Sequence, residues 1–295
     1  MAAIIIDGKA TAARVREEAR ERASRLKERG VTPCLAVILV GDDPASLSYV
    51  RGKQKALAEA GMDGRDIRLP ETTSEAELLT LIVSLNADEK VHGILVQLPL
   101  PSHIREEVVI TALDPRKDVD CFHPVSLGKL LQGQDGFLPC TPHGIVQLLK
   151  GQNIPTSGSH AVIVGRSNIV GKPLALLLNR RELNATVTMC HTGTKDLASH
   201  TRRADILVAA CGKPGLITGD MVKKGAAVID VGVNRVQDDR APKGYRLTGD
   251  VKFEEAAEIA GWITPVPGGV GPMTIAMLMQ NVVLAAEAAA GRLTP

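Results

Sequence analysis

The chain has 295 residues, which indicates two domains, and apolar residues make up 44% of it, enough to build buried cores. The formal net charge is +2, both signs are spread along the chain, and aromatic residues make up only 2%. We therefore expect neither a nucleic-acid partner nor a membrane partner.

The first 120 residues alternate apolar runs with helical patterns, which predicts a mostly parallel sheet. The predicted strands are Ile4–Ile6, Leu35–Val40, Asp66–Leu69 and His92–Leu98. The predicted helices are Thr11–Glu28, Pro44–Gly61 and a third that begins at a capping box of Ser74 and Glu77.

Four polar side chains in this half are candidates for chemistry. Tyr49 and Lys53 are four residues apart and share one face of the second helix, and a lysine in a dry cleft can act in proton transfer. Gln97 closes a strand, where open α/β sheets bind ligands, and Asp120 lies in a following loop. Each also has an ordinary explanation: a surface lysine, an amide bonded to the loop backbone, or a solvated carboxylate.

A strand, a glycine turn and a helix then follow one another. Ala161–Val164 is short and β-branched, Gly165 opens the turn, and an aliphatic helical run follows. This layout aims backbone N–H groups and a helix N-terminus at a phosphate. The spacing differs from G-x-G-x-x-G, because Ser167 replaces the second glycine and Gly171 comes one residue late. The turn of an ordinary α/β protein remains the alternative.

The next predicted strand, Ala185–His191, bears on the choice of cofactor. An NAD site usually has an acidic residue about 20 residues past the glycine turn, and none occurs from Ala185 to Lys195. The groups present there are His191, Thr192, Thr194, Lys195 and, from the preceding turn, Arg166. They would suit a 2′-phosphate, which favours NADP over NAD, although surface charges are common.

The last third continues the α/β pattern. Strands are predicted at Ile206–Ala209 and Ala226–Val231, each followed by a glycine. The loop Pro265–Pro272 is rich in proline and glycine and leads into a mostly apolar helix, Thr274–Ala290. Its glycines would let a ligand approach the backbone, although a tight turn between domains has the same composition.

The five cysteines are odd in number and include no C-x-x-C pair, which predicts reduced thiols and a cytoplasmic location. The apolar run Ile4–Ile6 is too short for a signal peptide, and no run approaches the roughly 20 residues of a membrane-spanning helix. His123, His143 and His191 show no metal-ligand spacing, so we expect no metal.

Eight stretches together resemble the bifunctional methylenetetrahydrofolate dehydrogenase/cyclohydrolase family, the FolD type. In order they are YVRGK from Tyr49, VQLPLP from Val96, KDVD followed by FHP, PCTP from Pro139, VGRSNIVGKP from Val164, IDVGVNR from Ile229, GDV from Gly249 and TPVPGGVGPMT from Thr264. The resemblance covers nearly the whole chain. It implies NADP-dependent oxidation of 5,10-methylenetetrahydrofolate to the methenyl form and hydrolysis of that to 10-formyltetrahydrofolate.

The resemblance also implies roles for individual residues. The implied catalytic residues are Lys53, Tyr49, Gln97 and Asp120. The implied substrate-binding residues are Tyr49, Val96, Gln97, Leu98, Asp120, Pro267, Gly268, Gly269, Val270 and Thr274. The implied cofactor-binding residues are Gly165, Arg166, Ser167, Thr192 and Val233. The family is commonly homodimeric.

Two residues depart from the family pattern. Cys121 stands where glycine is usual; a positive φ there would cost a cysteine roughly 1–2 kcal/mol, and its side chain would crowd the pterin. Thr192 replaces the more usual serine and keeps the hydroxyl group.

We predict an α/β protein of two domains with a cleft between them. Residues 1–140 would form the catalytic domain, with a C-terminal helix over 273–291 packing back on it, and residues 141–272 a Rossmann-like NADP-binding domain. The alternatives are a monofunctional NADP-dependent dehydrogenase of the same fold, a dehydrogenase for another small metabolite such as a hydroxy acid, and a non-catalytic nucleotide-binding regulator.

Overall fold

A computed structural model describes residues 2–241 and 244–291. The chain divides into two compact units. The first, here called the catalytic unit, consists of residues 13–140 together with 275–291, and the second, the nucleotide unit, of residues 2–12 together with 141–274.

The catalytic unit contains a three-stranded parallel sheet. Its strands are β2 (Cys34–Val40), β3 (Asp63–Leu69) and β4 (Gly93–Val96), in the order β3-β2-β4. All seven residues of β2 are buried, as expected for a continuous apolar run at the centre of a parallel sheet. Helix α3 covers this sheet, and its predicted capping box forms: Ser74 caps the N-terminus of Glu75–Ala87, and the Glu77 side chain accepts from the Ser74 backbone N–H.

The nucleotide unit contains a six-stranded sheet in the order β1-β11-β8-β7-β5-β6, with every pair parallel. These strands are β1 (Ile4–Ile5), β5 (His160–Val164), β6 (Thr186–Cys190), β7 (Ile206–Ala209), β8 (Ala227–Asp230) and β11 (Trp262–Ile263). A separate antiparallel hairpin joins β9 (Asn234–Gln237) to β10 (Tyr245–Thr248). The parallel sheet with helical crossovers is the predicted Rossmann-like arrangement.

The remaining helices are α1 (Gly8–Lys27), α2 (Pro44–Glu59), α4 (Glu106–Ala112), α5 (Pro124–Gln132), α6 (Cys140–Gly151), α7 (Gly171–Asn179), α8 (Leu197–Thr201), α9 (Phe253–Ala257) and α10 (Val270–Ala289). They include the four others that the sequence predicts, which are α1, α2, α7 and α10. The final helix begins four residues before the predicted Thr274, because the glycines and proline of its first turn are accommodated within it.

Residues 2–12 lie outside the unit in which the sequence analysis predicts them. The sequence prediction places them with residues 1–140, but β1 pairs in parallel with β11, with Ile4 opposite Trp262 and Ile5 opposite Ile263, and so belongs to the nucleotide unit. A strand of two residues carries no periodicity that would indicate which sheet it joins.

Helix α10 is long and apolar enough, by length and composition, to cross a membrane. Most of it is nevertheless buried inside the protein, which is the behaviour of a core helix. In the catalytic unit its Asn281 donates to the carbonyl oxygens of Val119 at 2.7 Å and Leu138 at 2.9 Å. These bonds attach α10 to the segment that contains Asp120.

Candidate functional site

Helix α2 presents Tyr49 and Lys53 on one face. The helix starts where the sequence predicts, since the Asp43 carboxylate accepts from the Ser46 N–H at 2.7 Å and Pro44 occupies the first turn. Lys53 is only 7% exposed, whereas Tyr49 is 46% exposed. The pair therefore combines a buried amine with an accessible ring, which is what a substrate-facing site requires.

Gln97 holds the amine of Lys53. It follows β4 directly, and its Oε1 accepts from Lys53 Nζ at 3.1 Å while its Nε2 donates to the Leu98 carbonyl at 2.8 Å. The second bond sets the orientation of the amide, so the oxygen and not the nitrogen faces the lysine. Val96 and Leu98 flank this glutamine at the carboxyl end of the strand.

Burial lowers the pKa of Lys53 below its ordinary value, because the charged ammonium loses its hydration. The negative charge of Asp120 opposes this shift and Cys140 adds a smaller contribution in the same sense, but burial remains the largest cause. The neutral amine, which can accept a proton, is thus more accessible near physiological pH than for a lysine in water.

The segment that carries Asp120 lies beside β4. Ile94 forms a parallel bridge with Asp118 and donates from its N–H to the Lys117 carbonyl at 2.8 Å. The chain turns directly after this bridge, because the Cys121 N–H donates to the Asp118 carbonyl at 3.0 Å. Asp120 lies in that turn, half-buried, and its charge acts on Lys53.

Asp118, the first acid of K-D-V-D, holds the loop that follows. It is 1% exposed and accepts from the Phe122 N–H, the His123 N–H and the Ser126 hydroxyl at 3.1, 2.9 and 2.7 Å. Asp118 is not among the candidates selected from the sequence, and the structure shows that it orders the loop.

Cys140 lies in the same cluster. Its thiol donates to the Val119 carbonyl at 3.4 Å and lies near the Asp120 carboxylate. Burial and the nearby carboxylate raise the pKa of this thiol well above its ordinary value, so it stays a neutral, weak nucleophile. It acts as a packed thiol.

Cys121 has the positive φ that its position suggested, at 60°. Its side chain is fully buried, and the thiol donates to the Phe137 carbonyl at 3.2 Å. The side chain is therefore directed into the protein.

This geometry predicts effects of different size for two substitutions of Cys121 on stability. Cys121→Ala keeps the strained backbone and loses the buried thiol and its hydrogen bond, so the free energy of unfolding should fall by about 1–2 kcal/mol. Cys121→Gly relieves strain of similar size and should stay within about 1 kcal/mol of the parent protein. Urea unfolding of both variants checks the order, and a glycine variant less stable than the alanine variant contradicts it.

In the nucleotide unit, the turn after β5 has no room for side chains at its first position. Gly165 has φ 136°, and a Cβ there would lie 2.1 Å from the Ala210 carbonyl oxygen. The hydroxyl of Ser167 accepts from the Val170 N–H at 3.1 Å and the Gly171 N–H at 3.4 Å, at the start of α7. The turn therefore remains compact although serine replaces the second glycine of the usual pattern.

The surface around this turn is basic and hydroxylated. Arg166, Thr192 and Lys195 are exposed, and Thr194 and His191 are half-buried. The turn after β6 is ordered by the His191 N–H, which donates to the Thr194 hydroxyl at 2.8 Å. Such a donor set fits a phosphorylated ribose, and the first acid after β6, Asp196, already accepts from the Ser199 N–H.

Val233 and the Pro-Gly-Gly loop complete the predicted site residues of this unit. Val233 is 47% exposed in the turn after β8. Pro267 is exposed, Gly268 has φ 111°, and the Gly269 N–H donates to the Pro265 carbonyl at 2.8 Å. Val270 begins α10, and the Thr274 hydroxyl is 2.9 Å from that of Thr141.

The predicted site residues thus fall into two groups. Those around Lys53 lie in the catalytic unit, and the cofactor residues with 267–274 lie in the nucleotide unit. Among residues 2–241 and 244–291, no three His, Cys, Asp or Glu side chains are placed to hold a metal ion. Sequence reasoning missed two buried aspartates, Asp230 and Asp250, whose signals were the motifs IDVGVNR and GDV.

Comparison with known proteins identifies matches over nearly the whole chain. Residues 6–120 match the tetrahydrofolate dehydrogenase/cyclohydrolase catalytic domain, and residues 139–290 match the NAD(P)-binding domain of the same family. The chain is 59% identical to the bifunctional protein FolD of Moorella thermoacetica, over 97% of this chain and 100% of that one. It is 57% identical to that of Bacillus subtilis, over 97% and 99%.

A solved structure gives the same result. The Trypanosoma brucei N5,N10-methylenetetrahydrofolate dehydrogenase-cyclohydrolase (FolD), complexed with NADP cofactor and inhibitor, is 40% identical, with a TM-score of 0.94, covering 99% of this chain and 100% of that chain.

Proposed function

The chain belongs to the tetrahydrofolate dehydrogenase/cyclohydrolase family, and from this premise we propose that Lys53, held by Gln97 and facing Asp120, is the base of its hydrolysis reaction. The protein is a bifunctional enzyme of one-carbon metabolism that uses NADP. It oxidises 5,10-methylenetetrahydrofolate to the methenyl form and hydrolyses that to 10-formyltetrahydrofolate. The hydrogen bond of 3.1 Å from the buried Lys53 to Gln97 is the observation that supports the role of the lysine.

The nicotinamide ring, when bound, supplies the hydride acceptor for the folate one-carbon bridge. The exposed ring of Tyr49 is suited to contact the pterin, and the Asp120 carboxylate to accept from its N–H groups. On the nucleotide unit, the turn of Gly165 and Ser167 with the start of α7 would receive the diphosphate, and Arg166 and Thr192 the 2′-phosphate. Val233 would contact the cofactor from the neighbouring turn.

Hydrolysis of the methenyl cation needs a base for the attacking water. A neutral Lys53 amine can take one proton as the water oxygen bonds to the one-carbon centre. When the bond from that carbon to N5 breaks, Lys53 returns the proton to N5, and the hydroxyl of the intermediate loses its proton to solvent as the formyl C=O forms. Gln97 Oε1 accepts a hydrogen bond from Lys53 Nζ throughout and thereby directs the lone pair of the amine toward the water.

A spectrophotometric assay with 5,10-methylenetetrahydrofolate and either NADP or NAD tests the function. We expect turnover with NADP and decay of the methenyl absorbance faster than the uncatalysed rate. Dehydrogenation without faster decay would favour the monofunctional alternative, which the bifunctional relatives make the weaker one. No turnover with either nucleotide would leave the regulator hypothesis.

We further propose that the enzyme works as a homodimer in the cytoplasm. The family resemblance supports the dimer, and the reduced cysteines support the compartment. Light scattering at micromolar concentration should give twice the chain mass of 31.2 kDa, and a monomer mass would contradict the dimer.

A further inference from the structure

Two buried aspartates join the turns at the carboxyl edge of the six-stranded sheet. Asp230, which ends β8, is 4% exposed, and Asp250, which follows β10, is fully buried. We call these two residues, together with the N–H groups that donate hydrogen bonds to their carboxylates, the aspartate clamp.

Asp230 connects its own turn to the segment after β10. Its Oδ1 accepts from the Gly232 N–H at 3.0 Å and the Asp250 N–H at 2.9 Å, and its Oδ2 accepts from the Val251 N–H at 3.0 Å. Its own N–H donates to the Thr264 hydroxyl at 2.7 Å, beside the end of β11.

Asp250 connects three further points. Its Oδ2 accepts from the Cys211 and Gly212 N–H groups at 2.7 and 2.9 Å, in the turn after β7, and its Oδ1 accepts from Asn234 Nδ2 at 3.0 Å. The two carboxylates are therefore held by five backbone N–H groups and one side-chain amide.

The surrounding glycines show how closely the chain fits these carboxylates. A Cβ on Gly249 would lie 1.7 Å from Asp230 Oδ2, and a Cβ on Gly232 would lie 2.3 Å from Asp250 Oδ1. Neither position can carry a side chain without moving the clamp. Burial, and to a smaller extent the proximity of Asp250, raises the pKa of Asp230 to about 6, although the three N–H groups that it accepts from favour the carboxylate.

The aspartate clamp is linked to two segments that are predicted to bind the cofactor, the turn that contains Val233 and the turn that begins at Gly165. Val233 stands between Gly232, which is bonded to Asp230, and Asn234, which is bonded to Asp250. Gly165 packs against the Ala210 carbonyl, one residue before the turn that Asp250 holds. The turns after β5, β7 and β8 therefore share one buried anchor.

We propose that Asp230 and Asp250 are positioning residues for NADP, which set Val233 and the Gly165 turn in the binding conformation without contacting the cofactor. The inference rests on the proposed function, namely NADP binding by this surface. It assigns the motifs IDVGVNR and GDV to cofactor affinity, while hydrolysis depends on Lys53, Gln97 and Asp120 in the other unit.

The test is a swap of the Asp250–Asn234 pair. Asp250→Asn places two amide donors face to face, and Asn234→Asp places two carboxylates face to face, so each should weaken NADP binding at least tenfold. The double variant restores one donor and one acceptor, because the amide introduced at position 250 would still accept from Cys211 and Gly212 through its oxygen. It should recover NADP affinity to within about threefold. NADP affinity is measured by fluorescence titration or calorimetry, and hydrolysis of supplied methenyltetrahydrofolate without NADP is measured in parallel.

Val208→Ala, a core substitution in β7, is the matched control: it should lower the melting temperature and leave NADP affinity unchanged. Single variants with parental NADP affinity, an unrestored double variant, or loss of hydrolysis in proportion to NADP affinity would each overturn the inference. If Asp250→Asn does not fold, Asn234→Asp carries the same expectation. Failure of the parent protein to bind NADP would instead overturn the proposed function, and this inference with it.

Discussion

Lys53→Met is expected to reduce cyclohydrolase kcat by roughly 10²–10⁴-fold, the usual contribution of a positioned general base, with NADP affinity unchanged. Methionine retains the length and apolar stem of the buried side chain but offers no lone pair of sufficient basicity. Hydrolysis of supplied methenyltetrahydrofolate, corrected for the uncatalysed rate, gives the loss, and a nucleotide titration gives the affinity.

Lys55→Met is the matched control for that variant. Lys55 lies two residues further along α2, its side chain is 78% exposed, and its ammonium is 3.7 Å from Glu59. Removing a solvated pair of this kind should change neither activity. Hydrolysis retained by Lys53→Met at more than a tenth of the parental rate would exclude the lysine as the base.

The pH profile of hydrolysis extends the same test. Because burial lowers the pKa of Lys53, the rate should rise with pH through an apparent pKa below the ordinary lysine value of 10.5, as the neutral amine forms. Asp120→Asn removes the charge that favours the ammonium, so it should move this rise to lower pH, whatever its effect on the rate itself. A shift in the other direction would show that the titrating group is not Lys53.

The regular parts of the fold were predictable because their signals are local. The β-branched runs gave β2, β5 and β7 to within one residue, and the caps at Asp43 and Ser74 start helices as expected. The pairing of β1 with β11 joins residues some 260 positions apart through two-residue strands, for which no local pattern exists. The hairpin β9–β10 was missed for a related reason, since its strands are short and charged.

In the candidate site, too, local features were predictable and long-range contacts were not. The residue types at Tyr49, Lys53 and Gln97 could be selected from helix spacing and strand-end position, but the 3.1 Å bond from Lys53 to Gln97 depends on how α2 packs on the sheet. The aspartate clamp could not be predicted from composition, because a buried carboxylate held only by N–H groups has the same sequence appearance as a solvated one. Family resemblance, and not periodicity, supplied the roles.

The second large effect that we predict concerns the preference for NADP over NAD. Arg166→Ala should lower the ratio of kcat/KM for NADP to that for NAD by about tenfold to a hundredfold, since charge-assisted bonds to a phosphate are worth roughly 1.5–3 kcal/mol. NAD lacks the 2′-phosphate, so its own kcat/KM should hardly change, and added salt should weaken NADP binding less in the variant than in the parent. Parallel initial-rate measurements with both nucleotides give the ratio.

Arg203→Ala distinguishes this specific effect from a general loss of positive charge. Arg203 is also exposed but precedes β7, at the amino ends of the strands, whereas Arg166 follows β5 at their carboxyl ends. Both substitutions remove one unit of charge from the nucleotide unit, so long-range attraction of the anionic cofactor falls by a similar amount in each. Only a contact with the 2′-phosphate makes Arg166→Ala selective for NADP. An equal change in the two variants, or an equal loss with NADP and NAD, would assign the preference to the hydroxyl groups of Thr192 and Thr194 instead.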